Sequence, residues 1–341
     1  MIEEEKFIID INEGKGSISS AGNIKFPVKT QFAIVVFILL LLFAGYVIPK
    51  ITNVLDTNHN QAEVAATTDP NNNTSITTAT EIKNIDIKAR SAFVWDVVGQ
   101  RALFQKNEVE ILPLASITKL MTALVAYELV PDNRLVTISK AAAAQQSGGD
   151  LKAGEVFEVK ELADFALVSS YNSAAYTLAN SVGTLLGEGD PVTQFVAAMN
   201  IKAKELDLES LSFTNPTGLD VSTIKAGAYG NAREVSLLVE YIVLNYPEIL
   251  TPTVTEHAIL YNQNGERHES DNTNNILTDI PNLLGSKTGY TDLAGGNLTI
   301  VYDAGFNRPI IITVLGSTWS ERFSDVKKIL AAIQKEMSNN I

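Results

Sequence analysis

The 341-residue chain has no cysteine. That excludes a disulfide framework, a thiol nucleophile and any Cys-ligated metal. Histidine is nearly as scarce, with only His59, His257 and His268, and no His-Glu-x-x-His is present. Zinc-peptidase chemistry therefore has little to stand on, and no metal or cofactor is expected. Positive charge is also short: 26 Lys and Arg against 39 Asp and Glu leave a formal charge of -13. No nucleic-acid partner is expected, because such binding rests on Lys/Arg contacts to phosphate. No Gly-x-Ser-x-Gly elbow occurs. Gly285-Ser-Lys287-Thr is not a phosphate loop either, because Ser286 precedes the lysine and the required upstream glycine is missing.

One long apolar run exists, Phe32 to Ile48. As a helix it would span about 26 Å, slightly under the hydrocarbon core, with Lys25, Lys29 and Lys50 able to snorkel. Lys25 and Lys29 precede it and only Lys50 closely follows, so the positive-inside bias places residues 1–31 in the cytoplasm. The run is longer than a usual signal-peptide core, and no small-x-small site follows closely. A retained single-pass anchor over 32–48 is the reading adopted; a cleaved signal peptide is the competing one. Residues 49–84, rich in Asn, Thr, Ala and Asp, read as a flexible linker. Residues 85–335 are then an extracytoplasmic globular domain, and 336–341 a tail.

Within the domain, Ala89–Asp96 and Arg101–Lys106 read as a strand pair around a Gly99-Gln100 turn. From Ser116 the period changes. Ile117, Leu120, Met121, Leu124, Val125 and Leu129 mark a buried helix face. Residues 160–183 are helical in pattern with a break at Ser169–Asn172, and Phe195–Leu206 and Ala232–Leu244 look like further helices. Strands return at Leu284–Thr291, Asn297–Tyr302 and Ile310–Leu315, and Glu321–Lys335 closes as a helix. Strands at both ends with helices between predict an α+β domain, its antiparallel sheet uniting both ends and packed by the middle block.

Three strings in fixed order carry the chemistry: Ser116-Ile-Thr-Lys119, Ser170-Tyr-Asn172 and Lys287-Thr-Gly289. Alone each is weak. Ser-x-x-Lys recurs at Ser222/Lys225 and Ser324/Lys327, and Ser-x-Asn at Ser270/Asn272 and Ser338/Asn340. Context separates them. Only Ser116 opens an apolar-periodic run, and only Ser170 lies between helical stretches; Ser270 falls in a polar segment and Ser338 in the tail. Lys119, one helical turn on, can reach the Ser116 hydroxyl and serve as its base if it is neutral part of the time. Moving a lysine from about 10.4 to about 7 takes about 4.6 kcal/mol. A second ammonium about 4 Å away supplies roughly 4 kcal/mol at an effective dielectric near 20, with burial pushing the same way. Lys287 is the expected donor of that field. Ser170 could relay a proton, and Asn172 could bind a substrate amide or fix a lysine. Gly289 would let a peptide lie close against its strand, and Lys287 with Thr288 would hold a free carboxylate.

From about Ile85 to Ala332 the chain resembles the serine-type D-alanyl-D-alanine carboxypeptidases, the low-molecular-mass penicillin-binding proteins. The stretches carrying the likeness are 112–128, Leu151–Glu155, 168–179, Asn215–Asp220 and 285–298. The resemblance implies a DD-peptidase/β-lactamase-like fold and acylation of Ser116 by a peptidoglycan stem peptide ending in D-Ala-D-Ala. It also implies β-lactams as covalent inhibitors and an oxyanion hole at the amides of Ser116 and Tyr290. Arg322 is a candidate carboxylate anchor; the competing reading is a surface arginine on the last helix. Tyr171 stands where small residues are frequent, which would narrow the pocket. No Glu-x-x-Leu-Asn-like loop is present, so fast β-lactam deacylation is not expected. The expected activity is a membrane-anchored DD-carboxypeptidase. A DD-endopeptidase using the same residues, or a non-catalytic penicillin- or peptide-binding sensor, stays open at this point.

Overall fold

The computed structural model describes residue 82 and residues 85–339. The segments 1–31, 32–48 and, residue 82 apart, 49–84 lie outside those residues. Among the described residues no helix is long and apolar enough to cross a membrane.

The chain enters through β1 (Ser91–Asp96) and β2 (Arg101–Lys106), followed by a two-residue β3 (Leu112–Pro113) and helix α1 (Lys119–Leu129). Then come β4 (Leu135–Thr137), α2 (Lys140–Ala143), β5 (Val156–Glu158), α3 (Val159–Val168), α4 (Asn172–Gly183) and α5 (Pro191–Glu205). Short β6 (Ser212–Phe213) and β7 (Ala228–Gly230) lead to α6 (Ala232–Asn245), and a hairpin follows, β8 (His257–Tyr261) with β9 (Arg267–Asp271). β10 (Leu283–Thr291), β11 (Gly295–Asp303), β12 (Pro309–Ser317) and α7 (Glu321–Asn339) complete the domain. The last helix thus continues past residue 335, and Ser338 belongs to it rather than to a tail.

Five strands make one antiparallel sheet in the order β10-β11-β12-β1-β2, which joins the two ends of the domain as the sequence pattern requires. Period-2 alternation gives it two buried faces. Val94, Ile300, Ile310, Ile312 and Val314 pack with Val326, Ile329 and Ile333 of α7. Phe93, Val301, Ile311 and Leu315 face the other way, toward Val235, Leu238 and Ile242 of α6 and the helical block. Each such side chain contributes about 1.5–3 kcal/mol on burial, so the sheet is held from both sides.

Helix α1 differs from the one-faced helix its periodicity suggests. Lys119 through Ala126 are all buried, because α3, α4, α5 and α6 surround it. A helix enclosed this way needs apolar residues all round. Thr122 and Lys119 are the exceptions: Thr122 donates to the Pro216 carbonyl oxygen at 2.7 Å, and the site explains Lys119. The hairpin β8–β9 replaces the polar segment expected around Ser270. Within its two strands only Ala258, Leu260 and His268 are buried, too few apolar positions for a strand signal.

Candidate active site

The three strings converge. Ser116 lies not in α1 but in the 3-10 turn Ala115–Thr118 that feeds it. Ala115 is held at φ 48°, a left-handed conformation that costs a non-glycine residue roughly 1 kcal/mol or more. The turn is wedged in place. A Cβ on Gly218, itself at φ +80°, would lie 1.9 Å from the Ala115 carbonyl oxygen, so only glycine fits there. Ser170 also adopts a left-handed conformation, φ 61°, between α3 and α4. Both candidate hydroxyls therefore sit on backbone that the surrounding packing has to enforce.

Lys119 is fully buried. Its Nζ lies 2.9 Å from Ser116 Oγ, 2.7 Å from Asn172 Oδ1 and 2.8 Å from the Thr217 carbonyl oxygen. An ammonium has three protons for these three acceptors. A neutral amine has two protons and a lone pair. The amide and carbonyl oxygens can only accept, so they take the two protons. The lone pair is left facing Ser116 Oγ, which is the geometry of a base. Burial lowers the Lys119 pKa from its ordinary 10.5 to about 7, so both protonation states are populated near neutrality.

Lys287 is 1% exposed and donates to Ser170 Oγ at 3.0 Å and to the Thr288 carbonyl oxygen at 2.9 Å. Its pKa is pushed well down by burial first, then by repulsion from Lys119 and Arg322. Burial comes first at both lysines. The repulsion between the two ammonium groups is mutual and adds to it.

The other sequence candidates lie around the same pocket. Asn172 has both amide ends engaged by protein, Oδ1 by Lys119 and Nδ2 by the Gln146 carbonyl oxygen at 2.6 Å. It fixes a lysine, the second of its two expected roles. Thr288 is 3% exposed and its Oγ1 lies 2.6 Å from Thr273 Oγ1. Gly289 serves a different neighbour from the one expected. A Cβ there would come within 2.9 Å of the Leu114 carbonyl oxygen and 3.2 Å of Ser116 N. The close approach it permits here is of β10 to the turn carrying Ser116.

Arg322 is no surface residue. It is 2% exposed, donates from Nη1 to the Gly289 carbonyl oxygen at 2.8 Å, and its guanidinium lies against the rings of Trp319 and Phe323. Its Nε is buried without a hydrogen-bond partner. Burial lowers its pKa to about 10, which leaves it cationic at neutral pH. Tyr290 is partly exposed and meets Trp319 edge-on, the centroids 4.9 Å apart. Tyr171 turns its ring against Phe165 and lines the pocket.

Ser116, Ser170, Thr288 and Arg322 open onto a pocket of about 420 Å³ whose walls include Ser147, Gly149, Leu219 and Thr273. The other Ser-x-x-Lys pairs and the Ser270/Asn272 pair do not line it. Ser222 and Lys225 close an exposed turn, Ser324 and Lys327 lie on α7, and Ser270 is on β9. Thr217, Gln146 and Thr273 were not legible as site residues. Two of them contribute backbone carbonyls, which carry no side-chain signature, and the third acts through a neighbour.

Three comparisons bear on what such a pocket is for. The sequence profile of the family described as D-alanyl-D-alanine carboxypeptidase matches residues 76–318. The D-alanyl-D-alanine carboxypeptidase DacF of Bacillus subtilis is 32% identical over 249 residues, 71% of this chain and 61% of that protein. This chain thus spans about three-fifths of that relative's length. The D-alanyl-D-alanine endopeptidase of Escherichia coli is 27% identical over 262 residues, covering 75% of this chain and 80% of that protein. Among solved structures, penicillin-binding protein D2 from Listeria monocytogenes in its ampicillin-bound form aligns with a TM-score of 0.61 at 27% identity. That match covers 73% of this chain and 98% of the Listeria chain.

Proposed function

The chain belongs to the D-alanyl-D-alanine carboxypeptidase family, and on that premise we propose that it is a serine peptidase that removes the terminal D-alanine of peptidoglycan stem peptides. The observation that carries the reading is Lys119 Nζ at 2.9 Å from Ser116 Oγ with its other two bonds committed to Asn172 and Thr217. Neutral Lys119 takes the Ser116 proton as Oγ attacks the carbonyl of the penultimate D-alanine. The developing oxyanion lies between the backbone amides of Ser116 and Tyr290. Thr288, Lys287 and Arg322 hold the terminal carboxylate. As the C–N bond breaks, the proton passes from Lys119 through the Ser170 hydroxyl to the leaving amine. Water, deprotonated by the same lysine, then hydrolyses the Ser116 ester. β-Lactams acylate the same hydroxyl.

The likeness to the Escherichia coli endopeptidase supports a second reading, cleavage of cross-links by the same residues. Incubation with a pentapeptide and with a cross-linked dimer separates the two: D-alanine release from the pentapeptide alone supports the first, dimer cleavage the second. Neither product, together with no β-lactam adduct, ends both and leaves a non-catalytic sensor. Residues 32–48 anchor the enzyme in the cell membrane with residues 1–31 in the cytoplasm, the linker over 49–84 extending the domain, 85–335, outward. The support is the apolar run and the lysines beside it. Membrane fractionation of the full chain and of a variant lacking residues 1–81 tests this; full-length protein in the soluble fraction refutes it.

A further inference from the structure

The Thr273 hydroxyl lines the pocket and belongs to none of the three strings. Thr273 lies between β9 and β10, with both neighbours pinned. Asn272 Nδ2 donates to the carbonyl oxygens of Thr253 and Thr255 at 2.9 and 2.8 Å, and Asn274 Nδ2 donates to Ser286 Oγ at 3.0 Å. Thr273 N donates to the Val168 carbonyl oxygen at 3.1 Å, at the end of α3 just before Ser170. Its Oγ1 lies 3.3 Å from the same carbonyl and 2.6 Å from Thr288 Oγ1. Thr273 thus bridges the helix end leading to Ser170 and the strand carrying Lys287 and Thr288.

The protons can be counted. Each hydroxyl has one, and Val168 O only accepts. If Thr273 donates to Val168 O, Thr288 satisfies the 2.6 Å contact by donating to Thr273, and its proton points away from the pocket. If Thr273 donates to Thr288 instead, the Thr288 proton is free to face a ligand. A carboxylate only accepts, so its arrival selects the second arrangement. The bond given up is the longer one, at 3.3 Å, so the switch costs little. We propose that Thr273 is a positioning residue that turns the Thr288 hydroxyl toward the terminal carboxylate of the substrate. The proposal rests on the function assigned above.

The test compares Thr273→Val, which keeps the shape and loses the hydroxyl, with Thr273→Ser, which keeps the hydroxyl. Both are assayed in the full chain by D-alanine release from a peptide ending in D-Ala-D-Ala. The valine variant is expected to raise KM about tenfold, the worth of one hydrogen bond to a charged group, with kcat within about threefold. The serine variant is expected to restore wild-type KM. Unchanged KM in Thr273→Val, a fall confined to kcat, or a serine variant as impaired as the valine one overturns the proposal. Benzylpenicillin acylation of the wild type separates the levels. A wild type that is acylated and releases D-alanine keeps the functional reading whatever the Thr273 variants do. A wild type that does neither removes both.

Discussion

On the proposed mechanism the protonation of Lys119 sets the acylation rate, and with it the dependence of that rate on pH. Burial brings the Lys119 pKa to about 7. At pH 7 about half of the molecules hold a neutral amine, at pH 6 about a tenth, and at pH 5 about a hundredth. At the ordinary value of 10.5 only about 3 in 10,000 would be neutral at pH 7, so burial raises the supply of base roughly 1,500-fold. The acylation rate with benzylpenicillin, followed by stopped flow, is expected to rise about tenfold per pH unit from 5 to 6 and to level off above about 7.5. The same burial has a signature in stability. The folded pKa lies below the unfolded one, so between about pH 7 and 10.5 the unfolded chain binds the extra proton. Stability therefore rises with pH across that window, and the penalty, about 5 kcal/mol in full, is present below it. Lys119→Met carries no such group. Wild type should gain about 3 kcal/mol relative to this variant between pH 6 and pH 9, measured by urea unfolding. A flat acylation profile from pH 5 to 8, or a wild-type-to-Met difference that does not change with pH, refutes the reasoning.

Three further outcomes are expected. Asn172→Ala removes an acceptor from the protonated form of Lys119, so the acid limb of the acylation profile moves to lower pH while the plateau falls about tenfold to a hundredfold; a limb that stays in place counts against the assigned contact. Gly289→Ala forces its new methyl against Leu114 O and Ser116 N, and overpacking of this kind costs about 1–3 kcal/mol. Acylation should drop at least tenfold, and a fully active alanine variant would show that the turn carrying Ser116 tolerates the shift. Asp96 lies at the far end of the sheet. Burial pushes its carboxyl up, but hydrogen bonds from Arg308, Gly99 N and Arg101 outweigh that and hold it below the usual carboxylate range. Asp96→Ala removes the shared acceptor of two arginines that solvent can still reach and should cost about 1–2 kcal/mol of stability, with kcat unchanged. Wild type should lose this contribution only as pH falls below the ordinary carboxylate range, and a variant as stable as wild type at pH 7 contradicts it.

The parts of the fold that were legible are those where one period dominates. The β-branched apolar run of β12 and the 3.6-residue repeat of α7 announce themselves, and the sheet follows from having strands at both ends of the domain. Ser116 and Lys119 were legible because their meeting is local, one turn of chain. Two backbone groups that hold the site together were not. Thr217 and Gln146 act through backbone carbonyls, which every residue has. The burial of Arg322 depends on Trp319 and Phe323 closing over it, and a charged residue in a helix gives no hint of that. Gly289 signals a close approach, but the sequence does not say of what; only the register of β10 beside the 115–118 turn does. The hairpin β8–β9 buries too few side chains on its inner face to stand out from a loop.

The account depends most on Ser116 being the nucleophile. Intact mass and peptide mapping after incubation with benzylpenicillin test it directly. A single adduct on the peptide containing Ser116, absent from a folded Ser116→Ala variant, is the result expected. No adduct on the wild type, or an adduct that survives Ser116→Ala, would contradict it.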